Sequence, residues 1–94
     1  MKQILLSDHV QSFAENKDTA RDLRISEIMP TLKNGEEIEL NFNGIDGATQ
    51  SFIHALISNL IREQGISVLE KIYFKDCNPK IQKIIEIVTD YMQE

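Results

Sequence analysis

The stretch that most constrains this fold is Ile38-Glu39-Leu40-Asn41-Phe42 running into Asn43-Gly44-Ile45-Asp46-Gly47-Ala48-Thr49-Gln50-Ser51-Phe52. Apolar residues alternate up to Phe42, as on a strand with one buried face. After two glycines the period becomes helical, with Phe52, Ile53, Leu56, Ile57, Leu60 and Ile61 on one stripe. The handover puts Thr49 and Ser51 at a helix N-terminus, among unpaired backbone N–H groups at the positive end of the helix dipole. A phosphate or carboxylate is stabilised there. This turn is the candidate functional site.

The remaining chain repeats the pattern on both sides. Gln3 to Val10 carries Ile4, Leu5, Leu6 and Val10 and reads as a strand, and Gln11 to Lys17 as a connection with room for one extra helical turn or a short strand. A first helix is expected over 18–33, capped by Asp18 and stopped by Asn34-Gly35, with Ala20, Leu23, Ile25, Ile28, Met29 and Leu32 as its apolar set. Pro30 removes the bond to the Ser26 carbonyl, so this helix should kink there or restart after Met29. Ile25 lies off-phase from Leu23 and is expected to leave apolar surface exposed for a partner. The second strand spans Glu36 to Asn43, and the second helix runs from Thr49 to Gln64 and ends at Gly65. Val68 to Cys77 supplies a third strand, with Ile72 and Phe74 on one face and Leu69 and Tyr73 on the other. Asn78-Pro79 reads as cap plus first position of a third helix over 79–93, striped by Ile81, Ile84, Ile85, Val88 and Met92. The order β-α-β-α-β-α predicts a small α/β domain with a mixed, mostly parallel sheet and three helices.

Composition narrows the function. Ninety-four residues with 41% hydrophobic content suit one core, since a chain of this size buries roughly 60–65% of its unfolded surface. The net charge of −5, with ten basic residues scattered from Lys2 to Lys83, argues against nucleic acid. No apolar run approaches the roughly 18–20 residues of a membrane span, and Met1-Lys2-Gln3-Ile4-Leu5-Leu6 is too short for a signal peptide, so a cytoplasmic protein without a membrane partner is expected. Cys77 is alone and His9 and His54 are far apart, so neither a disulfide, a metal site nor a cofactor is expected.

The run Leu40-Asn41-Phe42-Asn43-Gly44-Ile45, then Ser51-Phe52, a helix, Gly65, and a strand ending Phe74-Lys75-Asp76-Cys77-Asn78 resembles the STAS-like domains of unknown function. These are small bacterial relatives of the STAS module of sulfate transporters and anti-sigma-factor antagonists. The likeness covers about residues 18–92 and implies that residues 1–94 are a single STAS-like domain. Against the Asp-Ser-Ser-Gly loop of the antagonists, Ser51 falls on the phosphorylated serine, while Thr49 stands for Asp, Gln50 for the first Ser and Phe52 for Gly. Asn41 replaces the Asp usual in the preceding strand. The resemblance implies a non-catalytic regulatory module that binds a protein through Gly44, Asp46, Gly47 and Gln50, with Ser51 and Thr49 as phosphorylation candidates. The implied partner is a histidine-kinase-like ATPase of the anti-sigma-factor type.

Each residue also has a plainer reading. Thr49 or Ser51 caps the helix, a contribution of roughly 1 kcal/mol. Gly47 and Gly44 supply positive φ in the loop. Ser51, His54 and Asp46 include the residue types of a hydrolytic triad, but no Gly-x-Ser-x-Gly elbow is present and His54 shares the polar helix face with Ser58 and Arg62. No Gly-Lys-Ser/Thr follows the glycines, which removes a P-loop. Cys77 reads as a small hydrophobe at a strand end. Two other function classes stay open: a small-anion or nucleotide binding domain on the same helix N-terminus, and a self-associating acidic inhibitor protein. The oligomeric state is open as well.

Overall fold

The computed structural model describes residues 1–92, and the last residue expected in the third helix, Gln93, lies outside them. Three strands, β1 (Lys2–Leu5), β3 (Ile38–Asn41) and β5 (Ile72–Lys75), form one sheet in the order β1-β3-β5, parallel throughout. The register aligns Ile4 with Leu40 and Phe74, and Lys2 with Ile38 and Ile72. Because side chains alternate across a strand, Ile4, Ile38, Leu40 and Ile72 enter the core together, and Gln3, Tyr73 and Lys75 point to solvent. A second, two-stranded parallel ribbon pairs β2 (Phe13–Ala14) with β4 (Gly47–Ala48). The expected first strand is shorter than its apolar run, since Leu6–Asp8 turns as a 3₁₀ helix that drives Leu6 into the core.

The helix expected over 18–33 forms, with a different interior. It starts as α1 (Lys17–Leu23), widens to a π-helical turn over Arg24–Ile28, and resumes as α2 (Met29–Lys33). Asn16, not Asp18, is the cap: its Oδ1 accepts the N–H groups of Asp18 and Thr19 at 3.0 and 3.2 Å. Pro30 lies in the first turn of α2, where its missing N–H costs least, and the widened turn before it takes up the mismatch. Arg24 explains where the widening falls. Only 8% exposed, it donates from Nη1 to the Ala55 carbonyl at 2.8 Å and to the Ser58 hydroxyl.

Those bonds lie at the end of α3 (Gln50–Ile57), so the helix expected over 49–64 is two segments. Ser58 is extended, Asn59 is left-handed at φ 67°, and α4 (Leu60–Gln64) follows. Arg24 takes the carbonyl and hydroxyl at the break, a cation at the negative end of the α3 dipole, and Asn tolerates the left-handed geometry. The apolar stripe survives because Leu60 re-enters the core after the break. The third strand is also shorter than expected. Residues Ile66–Lys71 form a 3₁₀ helix that sinks Val68 before β5 begins. The final helix, α5 (Pro79–Met92), buries Ile81, Ile85 and Val88. Helix α3 packs between α1 and α5, and its cap residue Thr49 is tied by its N–H to the Ala14 carbonyl of β2.

Candidate functional site

The turn between β3 and α3 is built from backbone economy. Asn41 Oδ1 accepts the Asn43 N–H at 2.7 Å as the strand ends, so Asn at this position performs the acceptor role an Asp would. Gly44 follows with φ +85°, a conformation that L side chains rarely adopt. Gly47 does not share that role. Its φ is ordinary, and its need for glycine is steric, since an added Cβ would sit 3.1 Å from the Phe13 ring. The loop is then tied down on two sides. Asp46 and Gly47 donate their N–H groups to the Ser12 carbonyl at 2.7 and 3.3 Å, and Thr49 donates to the Ala14 carbonyl at 3.0 Å. The Asp46 carbonyl accepts from Asn78 Nδ2 at 2.7 Å.

The two hydroxyls at the start of α3 have different tasks. Thr49 is the cap, its Oγ1 accepting the Phe52 N–H at 3.0 Å. Ser51 is exposed and lies in the first turn of α3, on the wall of a groove of about 420 Å³ between α3 and α5. Lys17, Gln50 and His54 form its polar side, and Ala55, Ile87 and Tyr91 its apolar side. Of the residues the sequence singles out, Gln50 and Ser51 meet in this groove, and Thr49 caps the helix that forms one of its walls. Gly44, Asp46 and Gly47 shape the loop without lining the groove.

Ser51 and His54 share the groove, but among the described residues no hydrogen bond joins them, and the loop contacts at Asp46 run through its backbone to Ser12 and Asn78. The residues that sequence reading missed are Lys17, Ile87 and Tyr91. Ile87 and Tyr91 stand four apart on α5, off the stripe of Ile81, Ile85 and Val88. That second, narrower apolar row is the signal that could have found them. Cys77 stays structural: burial, with Asp76 beside it, pushes its thiol up to about 11. Ile25 is exposed as its off-phase position predicts, at 58%.

Residues 21–82 match the STAS-like domain of unknown function, DUF4325. The chain belongs to this family. The match covers both halves of the β3-to-α3 handover, the break after α3, and β5 through the cap of α5, the segments that carried the resemblance in the sequence. No curated protein and no solved structure matches the chain. Among the described residues no helix is long and apolar enough to cross a membrane, and no group of three or more His, Cys, Asp or Glu is placed to hold a metal.

Proposed function

We propose that this STAS-like domain is a cytoplasmic switch that binds a protein partner through the 44–52 loop and the start of α3, and that phosphorylation of Ser51 turns the contact off. The observation that carries the reading is the division of labour between the two hydroxyls. Thr49 already caps α3, so the exposed Ser51 hydroxyl is not needed for the fold and is free to be modified. A phosphate adds a charge of about −1.5 to −2. At a helix N-terminus that charge is tolerated by the dipole, and Lys17 lines the same groove. The fold would persist while the partner met a changed surface. By family resemblance the partner is a histidine-kinase-like ATPase of the anti-sigma-factor type, which would both bind the domain and phosphorylate it.

The test begins with affinity capture from the native host and mass spectrometry, followed by reconstitution with the purified partner. Ser51→Asp should melt like the wild type and bind the partner at least tenfold more weakly, and Ser51→Ala should bind and resist phosphorylation. Unfolding by Ser51→Asp, or equal binding by both variants, would overturn the switch.

A further inference from the structure

The groove that holds Ser51 does not end at His54. A second hollow of about 550 Å³ shares His54 and Tyr91 as walls and runs on past Ser58 and Asn59 to Arg62. Together, sharing His54 and Tyr91, they form one trough between the α3–α4 pair and α5.

Its charge sets it apart from the rest of the molecule. The chain carries 15 acidic and 10 basic residues, yet among the described residues no Asp or Glu lines the trough. Lys17 stands at one end and Arg62 at the other, with the His54 imidazole between them. The α5 wall is apolar and open, with Ile87 40% and Tyr91 68% exposed. Two cations that bracket an apolar wall on an otherwise acidic protein complement a segment of opposite charge, and they steer its approach. Exposed aromatic and aliphatic side chains one helical turn apart are the anchor type that binding buries at the centre of an interface.

We propose that this trough binds an acidic amphipathic segment of the protein partner, its carboxylates paired with Lys17 and Arg62 and its apolar side chains seated on Ile87 and Tyr91. The proposal rests on the interaction-module reading and adds to it the chemistry of the partner and a second half of the contact surface. It also gives the Ser51 switch a mechanism: a phosphate at the Lys17 end repels the incoming carboxylates and competes with them for the same cation.

The full chain is used to select from a phage-displayed library of random peptides of about 16 residues. The recovered peptides are then synthesised with a fluorescent label, titrated by anisotropy at low and high salt, and mapped by amide chemical shifts. The expected consensus combines Asp or Glu with Leu, Ile or Phe, and its binding weakens with salt. Shifts should centre on residues 50–62 and 84–92. Lys17→Glu combined with Arg62→Glu, and separately Tyr91→Ala, should each weaken binding at least tenfold. All three residues are exposed, and unchanged melting curves verify that the variants fold. A basic or uncharged consensus, no enrichment, or shifts on the solvent face of the sheet would overturn the proposal, as would a self-associated chain whose interface covers Tyr91. A native partner that needs Ser51 and the 44–52 loop but ignores Lys17, Arg62 and Tyr91 would overturn the trough alone and leave the interaction module standing.

Discussion

Asn78 holds the Asp46 carbonyl with its Nδ2 at 2.7 Å while its Oδ1 accepts the Ile81 N–H at 2.9 Å, so one amide both caps α5 and fastens the loop in front of α3. The two roles can be separated, because a carboxylate caps a helix as well as an amide does but cannot donate. Asn78→Asp should therefore keep α5 intact and lose roughly 1 kcal/mol. Hydrogen exchange should quicken at Asp46 and Gly47 and stay unchanged along α5. Unaltered loop protection would mean that the Ser12 carbonyl holds the loop unaided.

Helix α3 presents two faces with opposite demands. Leu56 is fully buried and His54 is exposed on the groove. Leu56→Ala should cost roughly 2–5 kcal/mol, a large share of what a small domain has. His54→Ala should change stability by less than about 0.5 kcal/mol. Urea denaturation of both variants checks the assignment, and equal midpoints would contradict it.

The buried Arg24 acts as a C-terminal clamp on α3. Arg24→Met keeps the length and the packing of the stem but leaves the Ala55 carbonyl without its charged donor. Hydrogen bonds from a charged group are worth roughly 1.5–3 kcal/mol, and a loss in that range is expected. The effect should concentrate at the break, with amide exchange rising at Ser58 to Leu60 more than at the start of α3. Uniform loosening of the whole domain would show that the side chain matters for packing alone.

The Cys77 thiol makes a prediction about pH. It sits at about 11 in the folded protein against 9.0 for an unperturbed thiol, chiefly through burial and secondarily through Asp76. The folded state thus holds its proton more tightly than the unfolded state. The stability this contributes is complete below about pH 9 and is lost as pH rises from there toward 11. Denaturant midpoints measured between pH 7 and pH 10.5 should fall more steeply for the wild type than for Cys77→Ala. Iodoacetamide at pH 8 should alkylate the native thiol far more slowly than the denatured one.

Local chemistry made much of this molecule legible in advance. The period switch around Gly44 and Gly47 located the β3-to-α3 handover, and Asn78-Pro79 marked the start of α5, because alternation, helical stripes and caps are written in neighbouring residues. The family followed from the same segments, and so did the position of Ser51. Which hydroxyl caps α3 was not legible, since Thr49 and Ser51 are both competent and only the backbone geometry of Thr49 turns its oxygen toward Phe52. Nor was the interior of the long helices. An unbroken stripe from Phe52 to Ile61 gives no sign that Arg24, far earlier in the chain, claims the Ala55 carbonyl and ends α3 at Ile57. The groove was the least visible feature, because Lys17, Ser51 and Tyr91 belong to three separate elements. By itself the sequence determined the centres of the main strands and helices and the faces those centres bury, for these depend on spacing within a few residues, while the strand ends at Leu6–Asp8 and Ile66–Lys71 turned into 3₁₀ helices instead. Only the tertiary structure decided where helices break and which exposed side chains meet, because those outcomes depend on contacts between segments that share no local period.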